Sequence, residues 1–217
     1  SYQDFIDIKY DQQYPTPIFC PFQVNGVFDL HPKDCPSLSS ILKIIQAWDK
    51  KADKENLGAA QWSVYFKHLR KRVKKLNLDT ANFIADSILI NSLQFANDYL
   101  MDNFGKIEVL YKDFQFHVRG EVEFPVSGML DMIAATSSKN HTKGRVKAVS
   151  GDSYIMLIKY GDYGVEIETV LPYGISNDPN SVHHTDQMPL YINHERKRMT
   201  LDKDEIYKTA KKIYQPK

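Results

Sequence analysis

The sequence is poor in most features that announce a function directly. It has no excess charge of either sign: 28 basic residues stand against 27 acidic ones. A uniform field that would recruit nucleic acid or an acidic surface is thereby excluded. No uninterrupted apolar run approaches the length needed to span a bilayer, and no charged-then-apolar stretch resembles a signal peptide. Glycine-rich phosphate loops, dinucleotide fingerprints and nucleophile elbows are all missing. There is no internal repeat and no low-complexity tract. Cysteine is scarce, with only Cys20 and Cys35 flanking CPFQVNGVFDLHPKDC. The pair fits a disulfide-closed loop in an exported protein or two unrelated thiols in a reducing compartment, and sequence leaves both open.

What is present is a core. Apolar residues make up 42% of the 217 positions and aromatic ones 12%, with 13 Tyr and 11 Phe. That argues against disorder and suits one large domain or two small ones.

The first half reads as helical. SYQDFIDIKY forms a short helix in which Ser1 caps the start, Asp4 takes the reciprocal capping-box position, and Phe5, Ile6 and Ile8 supply apolar surface. Residues 11–36 hold five of the ten prolines and form an irregular loop. SLSSILKIIQAWDKK then places Ile41, Leu42, Ile45 and Trp48 on one stripe. AAQWSVYFKHLRKRVKKL places Trp62, Phe66, Leu69, Val73 and Leu76 at alternating four- and three-residue spacings. A third helix is expected over Thr80 to about Asn103, with Phe83, Leu89, Phe95, Ala96 and Leu100 buried and Gly105 as its stop.

The second half is strand-rich. FQFHV alternates Phe114, Phe116 and Val118 on one face. SYIMLIKY and VEIETVLPY are joined by Gly161-Asp162-Tyr163-Gly164, a hairpin signal. The polar SSKNHTKG reads as a loop. LDKDEIYKTAKKIY starts with a capping-box pair, Asp202 and Glu205, and closes the chain as a helix. The reading is an α+β chain: a mainly helical segment over 1–110 with its proline-rich loop at 11–36, and a strand-rich segment over 111–217 ending in a helix.

Three constellations invite chemistry. Lys67, Arg70, Lys71, Lys74 and Lys75 form a basic stripe that could meet phosphates, but Leu69, Val73 and Leu76 anchor the same helix, and a solvated face explains the charges. His183, His184 and Asp186 offer metal-ligand types without a third spaced cluster, which favours a structural loop. Ser153, His183 and Asp178 supply the residue types of a hydrolytic triad, a set easily drawn from any chain of this size.

A more specific signal lies in the late part of the chain. Gly151, Asp152, Ser153 and Tyr154 match a G-D-S-aromatic pattern, and Gly174, Ser176, Asp178, Pro179, Ser181, His183, Asp186 and Gln187 match G-x-S-x-D-P-x-S-x-H-x-x-D-Q. Trp48, Asp49, Gly58, Ala59 and Ala60 match W-D…G-A-A, and FPVSG and TLDKDEI follow in order. The chain thereby resembles the C-terminal part of the penicillin amidase family, which includes penicillin, cephalosporin and acyl-homoserine-lactone acylases. It departs from the pattern at Ile175, Val182 and His184, and its last stretch lacks the customary tryptophan.

The resemblance implies an N-terminal-nucleophile hydrolase of αββα architecture, cleaved autocatalytically into two chains. The nucleophile is the first serine of the β chain, with its own amine as base and an oxyanion hole of backbone and asparagine groups. These elements and the family's calcium ligands fall upstream of the segment that this chain resembles. No catalytic residue, metal ligand or cofactor is therefore expected in it. The loop carrying Ser176, Asp178, His183 and Asp186 is its candidate substrate-side element. The expected partners are the remainder of the acylase (the α chain and the N-terminal part of the β chain) and a small-molecule amide substrate, with no nucleic acid and no membrane span. Periplasmic or secreted location follows from the family, and Ser1 reads as a helix cap or cut site rather than a nucleophile. The alternative is a non-catalytic binding module on an acylase-derived scaffold.

Overall fold

The structure, a computed structural model, describes residues 1–18, 24–76, 84–162 and 164–213. It divides into two compact units, residues 3–151 and residues 152–217 with residues 1–2. Helices and strands both contribute, as an α+β chain requires.

In the larger unit the helices form where the apolar spacing places them. Helix α1 covers Tyr2–Lys9, all but its first residue in this unit, and buries none of its residues. A short turn, α2 (Gly26–Asp29), precedes α3 (Ser39–Ala47), which buries Ile41, Leu42 and Ile45. Helix α4 (Ala59–Leu76) buries Trp62, Phe66, Leu69 and Val73, while Leu76 at its end is exposed. Helix α5 (Asp86–Phe104) packs against α4 and stops where Gly105 adopts a left-handed φ of 70°. It starts later than the expected Thr80, because Ala85 is extended at ψ 140°. Leu89, Ala96 and Leu100 are buried, but Phe95 is 42% exposed. Phe83 lies outside the described residues. Around Trp62 gather Phe28, Trp48, Tyr65 and Phe66, each with its ring centroid 5.5–5.6 Å away.

The sheet of this unit runs β2-β1-β4-β3, with one-turn α6 (Tyr111–Phe114) leading into β1 (Gln115–Arg119). Strands β2 (Val122–Pro125), β3 (Ser137–Asn140) and β4 (Val146–Ser150) complete it. The β1–β2 and β3–β4 pairings are antiparallel, and β1 meets β4 in parallel. Two expectations are corrected here. Phe114 belongs to α6, and in β1 the buried positions are Gln115 and His117 while Phe116 and Val118 are half-buried. The polar SSKN, expected as loop, is edge strand β3, where an exposed outer row tolerates polar side chains.

In the smaller unit β5 (Ile155–Gly161) and β6 (Gly164–Val170) form the expected hairpin, in register from Ile155↔Val170 to Gly161↔Gly164. Strand β7 (Lys197–Met199) adds to β6. Met188, in α7 (Met188–Ile192), is fully buried. The closing helix α8 spans Lys203–Thr209. Asp202 caps it by accepting from the backbone N–H groups of Asp204 and Glu205. Glu205 does not reciprocate: it accepts from the Thr200 hydroxyl at 2.7 Å, and Thr200 Oγ1 takes the Asp202 N–H.

Candidate functional site

The W-D…G-A-A residues build a corner between α3 and α4. Trp48 ends α3, and its indole N–H donates to the Lys51 carbonyl at 2.8 Å. One Asp49 carboxylate oxygen accepts from the Lys51 N–H and the Asn56 amide. Gly58, at φ 111°, brings its bare α-carbon against the Trp48 side chain. Its N–H donates to Gln61 Oε1, and the amide of that buried glutamine donates to the Val109 carbonyl. Ala59 and Ala60 are fully buried. Trp48, Gly58, Ala59 and Ala60 are consumed in packing, and Asp49, exposed, in the hydrogen bonds that close the corner.

The G-x-S-x-D-P loop, in the smaller unit, is knitted in the same way. The Ser176 N–H donates to the His183 carbonyl, and Ser176 Oγ accepts from the Asp178 N–H. Asp178 accepts from the Asn180 N–H, and Ser181 Oγ accepts from the His183 N–H. His183 Nδ1 and Asp186 Oδ2 are 2.7 Å apart. Gln187, buried, accepts from the Leu171 N–H at the end of the hairpin. Gly174 sits so tightly that a Cβ there would lie 2.2 Å from the His183 carbonyl oxygen. The structure thus brings Ser176, Asp178, His183 and Asp186 into one loop and engages each in holding it shut. The triad of Ser153, His183 and Asp178 does not form: the acid beside His183 is Asp186, and Asp178 serves its own turn. Among the described residues no three His, Cys, Asp or Glu side chains gather where a metal ion could be held.

A cavity of about 410 Å³, which no sequence motif marks, lies in the larger unit between α4, α5 and the sheet. Phe66, Phe95, Tyr99, Phe114, Met129 and Val146 give it apolar walls, and Lys67, His68, Arg70 and Lys71 of α4 border it. Its polar wall includes Gln115, whose amide donates to the Val126 and Gly128 carbonyls and whose oxygen accepts from Ser138. Lys67 Nζ donates to Asn140 Oδ1 at 2.7 Å, and its pKa is lowered by burial and by the charge of Lys71. The N-terminal part of the basic stripe therefore borders a concavity, a fact that helical spacing alone does not reveal.

His68 stacks on Phe95 at 4.2 Å between centroids. Its Nδ1 lies 3.2 Å from Ser92 Oγ, whose own proton goes to the Ile88 carbonyl. Ser92 must then accept, so Nδ1 carries a proton and donates. Burial first, then Arg72 and Lys71, push the His68 pKa below its ordinary range. This pair is no activated nucleophile: the serine is fully buried and its proton is committed elsewhere.

Cys35 is a free, buried thiol whose pKa is raised chiefly by burial, and its candidate partner Cys20 lies outside the described residues. No helix among the described residues is long and apolar enough to cross a membrane.

These features define an α+β protein whose two most patterned loops are structural corners closed on a glycine. The sequence profile of penicillin amidase matches residues 3–208, and the chain belongs to the penicillin amidase family. Among solved structures it is similar to a thermostable penicillin G acylase from Alcaligenes faecalis, at 15% identity and a TM-score of 0.46, over 89% of this chain and 45% of that one. It thus spans less than half the length of that relative. No curated protein sequence matches it.

Proposed function

We propose that the chain is the C-terminal part of the β chain of an acylase that hydrolyses a linear amide bond, with the nucleophilic serine supplied upstream. The observation that carries this reading is the outer face of β5. Met156, Ile158 and Tyr160 alternate along it and are 43%, 37% and 79% exposed, with Tyr154 just ahead of the strand at 49%. Val165, opposite Tyr160, is exposed too, whereas Ile167 and Thr169 of β6, opposite Ile158 and Met156 on the same face, are buried. The opposite face buries Ile155 and Leu157. A strand apolar on both faces belongs inside a layered structure, covered from two sides. The covering layer is the remainder of the acylase, the α chain and the earlier part of the β chain.

The role of these residues is then to complete the sheet and shape the outer wall, while the chemistry sits elsewhere in a periplasmic or secreted parent. Ser1 is exposed and stands directly ahead of α1, the position of a helix cap. The Ser176–Asp186 loop contributes the shape of the substrate side through its fold. The test is hydrolysis of chromogenic phenylacetyl and fatty-acyl amides. The chain alone should be inactive, and the parent should lose maturation when Ile158→Lys charges the β5 face. Activity of the isolated chain that disappears in Ser1→Ala would overturn the reading.

A further inference from the structure

We propose that the cavity between α4, α5 and the sheet binds a small apolar carboxylate, its hydrocarbon part among Phe66, Phe95, Phe114 and Met129 and its charge at Lys67 and Lys71. The volume, about 410 Å³, lies within the roughly 300–1,000 Å³ typical of small-molecule sites. Apolar walls with a few convergent polar groups are the usual make-up of such sites.

Charge selects the ligand. Lys67, Arg70 and Lys71 border one concavity, and among the described residues no carboxylate pairs with any of them. The cations crowd one another: burial and then Lys71 disfavour the charge on Lys67, and burial, Arg72 and Lys71 work against protonation of His68. A bound anion offsets the repulsion from Lys71 at both groups. Lys67 is tethered to Asn140 by one donor and keeps two for a ligand oxygen. A cation is repelled, and a neutral molecule leaves the lysines without a counter-charge. A polyanion loses too much hydration against aromatic walls. A single carboxylate on an apolar body satisfies all three conditions. This inference does not depend on the amide-hydrolase reading.

The test is calorimetry on the 217-residue chain with octanoate and 4-phenylbutyrate, alongside 4-phenylbutyramide and octylamine. The acids should bind about tenfold or more tighter than the amide, and the amine should not bind. The double variant Lys67→Gln/Lys71→Gln, altered only at exposed side chains, should keep its circular dichroism and weaken the acids by about tenfold. Binding should also raise the midpoint of the His68 imidazole titration followed by NMR. Met129→Trp should fill the cavity and abolish binding; if that variant does not fold, the lysine variant decides. Equal affinity for acid and amide, an unaffected lysine variant, or no heat and no imidazole shift at saturating acid would each overturn the proposal.

Discussion

Gly58 and Trp48 touch so closely that a Cβ on the glycine would lie 2.6 Å from both Cβ and Cγ of the tryptophan. The contact fixes the angle at which α4 leaves the corner and seats Trp48 5.5 Å from Trp62 in the aromatic cluster. Gly58→Ala adds both a clash in a packed core and strain at φ 111°. A loss of about 3 kcal/mol in urea unfolding is expected, and Trp48→Ala in the same chain should relieve part of it, so that the two costs fall short of their sum.

The signature loop gives a contrast between neighbours. Gly174→Ala drives a methyl into the His183 carbonyl and should unsettle the smaller unit by roughly 2 kcal/mol. Asp186→Asn removes one exposed contact to His183 and should cost about 0.5 kcal/mol. Hydrogen exchange over residues 152–217 reads both. Loss of amide hydrolysis in a parent carrying Asp186→Asn, with exchange unchanged, would assign the loop a chemical rather than an architectural role.

Gln115 ties β1 to the turn after β2 and to β3 with three hydrogen bonds from a site 2% exposed. Gln115→Leu keeps the volume but strands the Val126 carbonyl and the Ser138 hydroxyl, while the Gly128 carbonyl keeps the Tyr111 hydroxyl as donor. The expected loss is roughly 3 kcal/mol, with β3 and β4 losing exchange protection first.

Protonation of His68 should couple to stability. Its folded pKa is depressed, so as pH falls through the ordinary histidine value of about 6.5 the unfolded chain takes up the proton first. Stability is therefore full above that value and declines as pH drops toward the folded pKa. Urea midpoints measured from about pH 7.5 to 5 should fall, and His68→Gln should flatten the slope. Glu123 acts in a lower window. The His141 hydrogen bond, then Arg145, holds its carboxyl below the usual range, so its contribution disappears only as pH falls through the carboxylate region.

Helices were legible because their faces are written at regular spacing: Ile41, Leu42 and Ile45, or Trp62, Phe66, Leu69 and Val73, are buried as that spacing requires. The hairpin was legible from Gly161 and Gly164. The phase of β1 was not, because Gln115 and His117 are buried through partners that a polarity pattern does not encode. The family residues were visible as a pattern, but their work as corners appears only once Gly58 meets Trp48 and Gly174 meets His183. The cavity was invisible for a different reason: its walls come from segments spread between residues 63 and 146.

Both tryptophans of the chain, Trp48 and Trp62, stand side by side in the larger unit. Indole emission therefore follows the opening of residues 3–151 alone. The unit containing the hairpin and the signature loop is dark at that wavelength, so a single fluorescence melt could pass for the whole molecule while reporting on one part of it. Tyr154, Tyr160 and Tyr173 report from it, but they share their band with Tyr10, Tyr14, Tyr65, Tyr99 and Tyr111 of the larger unit, so the opening of the smaller unit is the part of a tyrosine melt that indole emission does not follow.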